Sequence, residues 1–237
     1  MRCDTVMIHL WCYSVMVNSV NVLLLKFTSM YKLLYTLVVC VSLAMGPTAM
    51  AKSISDIWKS MPDSLAPYLN EKLRTECIDL YTLQSEAKVE NIMKATTSLD
   101  TLSSDYLRVQ LSSSRTIELL LLPQSKNDSV VCVIDTYAGP KKESSVKVYS
   151  QDWRLLRTIT FRIEQFMEKP DTMSEKQYAQ LKNTIDHYFI MARWNVECKA
   201  LVVSADTDWT FIADNKILFA MLKERYFEWK EGRFVEI

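Results

Sequence analysis

Between Tyr106 and Tyr149 the chain runs through four apolar segments separated by short polar turns, and that spacing limits most of what it can fold into. Tyr106–Leu111 sets Leu107, Val109 and Leu111 against Arg108 and Gln110. Thr116–Leu122 sets Ile117, Leu119 and Leu121 against Glu118. A period of two is that of a strand with one buried face. Ser112-Ser113-Ser114 between them reads as a hairpin loop. Ser129–Tyr137 is a third, more apolar strand, Ala138-Gly139-Pro140-Lys141-Lys142 a turn, and Ser145–Tyr149 a fourth strand with Val146 and Val148 on one face. Connections this short join antiparallel neighbours, so the four strands form a meander. The alternation makes Leu119, Leu121, Val131, Val133 and Val148 core and leaves Lys141, Lys142 and Lys147 exposed.

Helices are expected upstream. Ser53, three residues before Asp56, gives a capping-box signal for a helix through Ile54, Ile57 and Trp58. Met61-Pro62-Asp63-Ser64 breaks it and restarts a helix over Leu65–Leu73, with Asp63 or Ser64 as N-cap and Pro67 in the first turn. Cys77 to Met93 reads as further helix.

After the meander, Thr160–Met167 reads as helix, Pro170-Asp171 as a break, and Ser174–Lys182 as a helix capped by Ser174. His187–Val196 and Lys199–Ser204 are strands around a Glu197-Cys198 turn. Asp206–Asp214 is a polar loop carrying Trp209. Asn215–Trp229 fits either a helix leading into a strand or one long strand, and Lys230-Glu231-Gly232 turns into Arg233–Ile237. Two halves, 52–157 and 158–237, look related. Each passes through Pro-Asp (Pro62-Asp63, Pro170-Asp171) to a short helix and a strand pair, with an insertion in the first half from about Ile78 to Ser104. The expected fold class is α+β: antiparallel meanders with short helices packed on one face, as two similar halves or one compact unit.

The N-terminal residues carry a different message. Met30–Ala51 has one basic residue, Lys32, then an apolar core from Leu33 to Met45, a Gly46-Pro47 break and Ala49-Met50-Ala51 before Lys52. That is the layout of a secretory signal peptide, with Lys52 as the expected mature start and a periplasmic or secreted location. Translation is expected to begin at Met30, with residues 1–29 an over-extended start. The alternative is a membrane span over Val6–Leu25, weakened by His9, Ser14, Asn18 and Asn21. No stable span is expected once the signal is removed.

Composition excludes several functions. The chain has 28 basic and 28 acidic residues, well mixed, so it carries no electrostatic footprint for nucleic acid. Three glycines cannot build a phosphate-binding loop. His187 is the one histidine after the signal segment, which leaves no two-histidine zinc site. Neither cofactor nor metal is expected. Cys77, Cys132 and Cys198 allow one disulfide at most, and Cys132, between Val131 and Val133, reads as a buried inert thiol.

Several motifs together resemble a known family: Met61-Pro62-Asp63-Ser64-Leu65 with Pro67-Tyr68-Leu69, Asp105-Tyr106-Leu107, Gly139-Pro140, Tyr149 with Asp152-Trp153, and the Trp229…Gly232…Phe234 ending. The chain is similar across Lys52–Ile237 to a family of secreted Bacteroidales proteins of unknown function, the domain-of-unknown-function 3256 family. The resemblance implies compartment and taxon and assigns no catalytic residues. The expected architecture is also similar to that of beta-lactamase inhibitory protein, at the level of fold only.

No catalytic site is assigned. Asp186-His187 is the one Asp-His pair, but neighbours on a strand point to opposite faces, so Asp186 does not orient His187. Asp206, Asp208 and Asp214 suit Ca²⁺ in ligand type but lack the glycine and closing glutamate of a Ca²⁺ loop. The stronger lead is aromatic. Trp194, Trp209, Trp229 and Phe227 can share one sheet surface, open to a protein, peptide or glycan of the cell envelope, or can fill the core. The expected function is a non-enzymatic binding or interaction protein of the envelope or periplasm. The alternatives are a hydrolase centred on His187 with a carboxylate or Cys198, and a purely structural envelope component.

Overall fold

The computed structural model describes residues 31–32, 35, 52–125, 128–183, 185, 187–207 and 221–237. The chain divides into two units, Met1–Met50 and Ala51–Ile237, and the second contains the architecture that follows. Its described residues are mostly antiparallel sheet: β1 (Lys88–Glu90), β2 (Thr96–Leu102), β3 (Tyr106–Ser112), β4 (Arg115–Ser125), β5 (Asp128–Ala138), β6 (Lys142–Tyr149), β7 (Leu155–Ile159), β8 (Tyr188–Asn195), β9 (Ala200–Thr207), β10 (Arg225–Lys230) and β11 (Arg233–Glu236). Three short helices accompany them: α1 (Ile54–Lys59), α2 (Glu71–Thr82) and α3 (Glu175–Lys182). Strands β1 to β7 form one seven-stranded sheet in strict sequence order, and β11-β10-β9-β8 form a four-stranded sheet.

The expected four-strand meander, β3 to β6, is present, but it is the centre of a larger sheet. The helix expected over Cys77–Met93 ends at Thr82, and its tail is instead a hairpin. Asn91 causes this: its side-chain oxygen accepts from the amides of Met93 (2.9 Å) and Ala95 (3.2 Å), closing an Asx turn that a helix cannot contain. The helix expected over Leu65–Leu73 starts at Glu71, capped by Asn70. Arg74 sets that boundary. It is 2% exposed and donates to Asp63 at 2.8 Å and to the carbonyls of Lys59 and Leu69. Asp63 is therefore an ion-pair partner and not a helix cap. The Thr160–Met167 helix is also corrected: β7 ends at Ile159 and only a 3₁₀ turn, Ile163–Phe166, follows. Phe166 is fully buried, and Met167 bridges to Leu222. Both capping signals at Ser53 and Ser174 hold.

Helices α1 and α2 cover one face of the seven-stranded sheet, and the four-stranded sheet covers the other. Helices α1 and α2 pack over Leu107, Val109, Ile117, Leu119, Val131 and Val133. The alternate residues, Leu120, Leu122, Val130, Cys132, Ile134 and Val148, face Ala192, Leu201, Val203 and Phe227 of the four-stranded sheet. Strands buried on both faces carry near-continuous apolar runs, and Leu119-Leu120-Leu121-Leu122 and Val130-Val131-Cys132-Val133-Ile134 are such runs. Leu121 is half-buried against the helix-side core; of the three lysines, Lys142 is exposed and Lys141 and Lys147 are half-buried. Cys77, Cys132 and Cys198 are free thiols. Burial pushes the Cys77 thiol up to about 12, so it stays protonated.

Strand β8 lies at the edge of its sheet, against β5 and β6. Two of its outward amides are satisfied by side chains of the larger sheet. Ala192 N–H donates to Ser144 Oγ at 3.0 Å and Trp194 N–H to Glu118 Oε2 at 3.0 Å. These residues are two apart, as a strand edge requires.

The β10–β11 hairpin turns on Glu231 (φ 49°) and Gly232 (φ 76°). Two positive φ values make a two-residue turn of the kind that favours Asn-Gly. Glu231→Asn is expected to stabilise the protein by about 0.5–1 kcal/mol, read by urea unfolding, because asparagine tolerates the left-handed region better than glutamate. A loss of stability would show that Glu231 makes a contact worth more than its strain.

Candidate functional site

One end of the seven-stranded sheet projects beyond the helices that cover it. Arg115 and Tyr137 are cross-strand partners of β4 and β5, so their side chains share the helix-side face. Where the helices stop, this face meets the Ala66–Leu69 segment, the Asn91 turn and the β3–β4 hairpin. They enclose a cleft of about 340 Å³.

Its chemistry is aromatic, with one fixed cation. Tyr68 is 50% and Tyr137 51% exposed. Arg115 lies between the β4–β5 ladder and the Ala66–Leu69 segment. Its Nε and Nη2 each donate to Asp135 at 2.9 Å, and Nη2 also donates to Leu65 O at 2.7 Å. The guanidinium stands 5.1 Å from the Tyr137 ring centroid, within cation–π range. Buried Asn91 and Thr97 form the inner wall, both donating to Leu111 O, at 3.2 and 2.9 Å. The result is a preformed concavity with two half-exposed tyrosines and its polar groups held in place, the combination that ligand sites favour. The Pro67-Tyr68-Leu69 segment that carried part of the family resemblance forms one wall.

Neither Tyr68, Tyr137 nor Arg115 was singled out from the sequence. Alternation places Arg115 and Tyr137 on the core face, where a reader expects burial. Tyr137 is nonetheless half-exposed and Arg115 half-buried. Pro67 ahead of Tyr68 was the available signal, since proline punctuation marks surface segments.

The aromatic residues that were singled out lie elsewhere. Phe227 and Trp229 share a face, with Trp194 on the same side of the four-stranded sheet, and that face is turned onto the seven-stranded sheet. Phe227 is buried beside Phe161, with centroids 5.4 Å apart. Trp229 is half-buried, edge-on to Phe234, and donates from Nε1 to Pro123 O of the larger sheet at 2.7 Å. Trp194 is half-buried too. The apolar second face of β4 and β5 explains this orientation: left open, it would expose a large area to water. Trp209 lies outside the described residues, as do Asp186, Asp208 and Asp214. His187 precedes β8 and Cys198 follows it. An eight-residue strand separates them, roughly 25 Å at ~3.3 Å per residue, so they form no dyad. The Met30–Ala51 signal layout also lies almost wholly outside the described residues. Among the described residues, no helix is long and apolar enough to cross a membrane.

On the opposite face, a second cleft of about 270 Å³ opens between the two sheets. Glu118, 3% exposed, lies in its wall. Its Oε2 accepts from Tyr106 Oη at 2.8 Å as well as from Trp194 N–H. Burial raises its carboxyl above the ordinary range, although these hydrogen bonds and Arg108 pull the other way.

Residues 47–234 match the model of a protein family described as of unknown function, DUF3256. A solved structure of a domain of an uncharacterized protein from Porphyromonas gingivalis W83 superposes with a TM-score of 0.63 at 22% identity, covering 78% of this chain and 98% of that one. At that identity the likeness shows the fold. No curated protein matches the chain.

Proposed function

Because the chain belongs to the DUF3256 family, whose function is unknown, we propose that it is a non-enzymatic binding protein of the cell envelope, exported through the Met30–Ala51 signal. It holds its ligand in the Tyr68–Tyr137 cleft. The observation that carries this reading is the pair of half-exposed tyrosines flanking a guanidinium whose position is fixed by Asp135 and Leu65. Large aromatic faces next to a fixed polar group anchor ligands well, because little side-chain freedom is lost on binding. A ring with one apolar face and polar edges, as in a glycan, fits this chemistry: the face stacks on tyrosine and the edges meet Arg115 and the tyrosine hydroxyls.

The test is binding of the full chain to a panel of soluble envelope-glycan fragments. Tyr68→Ala and Tyr137→Ala are each expected to weaken binding by ~10-fold or more, as hot-spot aromatics do, with the unfolding midpoint nearly unchanged. Binding by the variants at wild-type strength would sink the reading, and so would the absence of any binding glycan.

A further inference from the structure

The second cleft has a different chemistry. Arg108 and Glu118 of the larger sheet, with Lys142 at the start of β6, face Met191, Ala192 and Arg193 of β8. Three cations and one carboxylate therefore line a space of about 270 Å³.

The two guanidiniums are loosely paired. Arg108 stands 3.7 Å from Asp100 and 3.8 Å from Glu118, and Arg193 stands 3.6 Å from Glu224. These distances are too long for hydrogen bonds. Elsewhere in the protein Arg74, Arg115 and Arg225 hold carboxylates at 2.8 or 2.9 Å. The tight pairs serve the fold. Arg108 also reaches the Tyr106 hydroxyl, and the loose carboxylate pairing leaves the remaining N–H donors at the cleft for an incoming oxygen anion, which a guanidinium can grip with two parallel bonds. Glu118 is the carboxylate of the cleft lining that competes for them. One of its oxygens is occupied by Tyr106 and Trp194, and its burial disfavours full charge.

We propose that the inter-sheet cleft binds a small anion, holding its carboxylate or phosphate group between Arg108, Arg193 and Lys142. The site bridges the two sheets, because Arg108 and Lys142 come from one and Arg193 from the other. Occupancy therefore ties the sheets together beyond the Glu118 and Ser144 stitches. The inference is independent of the tyrosine cleft, which opens on the other face of the larger sheet.

The probes are inorganic phosphate and acetate, titrated separately into the full chain at constant ionic strength. Binding is followed by amide NMR shifts of Arg108, Lys142 and Arg193. Saturable shifts confined to these strands are expected, and the arm with the tighter response identifies the preferred group. Arg108→Gln/Arg193→Gln is expected to weaken binding by ~10-fold or more, as loss of charge-assisted bonds does. Glu118→Gln is expected to tighten it severalfold by removing the competing charge. If the double variant fails to fold, exposed Lys142→Ala provides the test, with an expected loss of ~3-fold for one peripheral cation. Shifts that do not saturate, or that persist unchanged in the arginine or lysine variant, mean an adventitious ion only and overturn the proposal.

Discussion

Leu120→Ala is expected to destabilise the protein by roughly 2–5 kcal/mol, the range for emptying a fully buried leucine site, and Leu119→Ala is expected to cost as much. The two side chains point to opposite faces of β4. Leu119, fully buried, meets the helix layer, and Leu120, 1% exposed, meets the four-stranded sheet. A sheet covered on one face only would charge for one of the two substitutions. Equilibrium urea unfolding of both variants separates the cases. A loss below ~0.5 kcal/mol for Leu120→Ala, the scale of a surface change, would show that the second sheet does not cover this face. Leu119 serves as the internal control, since the helix layer buries it either way.

Trp58→Ala is expected to cost about 3–5 kcal/mol, the upper part of the range for core truncations. Trp58 is fully buried in α1. That helix has six residues and is too short to persist without tertiary packing. The indole Nε1 also donates to Arg74 O at 3.1 Å, linking α1 to α2. Trp58→Phe keeps most of the ring and loses the hydrogen bond, while Arg74 O stays in the hydrogen-bond ladder of α2, and is expected to cost about 1–3 kcal/mol. If the two variants proved equal in stability, the ring would not be packed as described. The same denaturation experiment decides this.

The meander is readable because four apolar segments follow one another with only short polar turns between them, and the β8–β9 hairpin follows from Glu197-Cys198 between two apolar runs. What stayed hidden depended on single side chains acting over distance. Arg74 holds Lys59, Asp63 and Leu69 in a turn that local signals read as helix. Asn91 folds its own backbone into a hairpin within a stretch whose apolar spacing fits either period. Strand β7 has exposed residues from Leu155 to Thr158, so no alternation marks it. The second covered face is written in the leucine and valine runs, whose continuity contradicts a strand with one apolar face. The candidate site was least legible. Aromatic abundance points to Trp194, Trp229 and Phe227, which pack between the sheets, whereas no local pattern marks the half-exposed Tyr68 and Tyr137.

The strict sequence order of the seven strands has a kinetic consequence. Every strand from β2 to β7 pairs with the one made just before it, so no strand has to wait for a later one. Each new hairpin closes a loop of a few residues, the cheapest closure available. A chain that emerges from its N-terminal end can therefore grow its sheet one strand at a time, with a single advancing edge. The four-stranded sheet is synthesised last and covers a face of β4 and β5 that has stayed apolar and open until then. That interval is when the protein is most prone to aggregate, and it ends when β8 reaches Ser144 and Glu118.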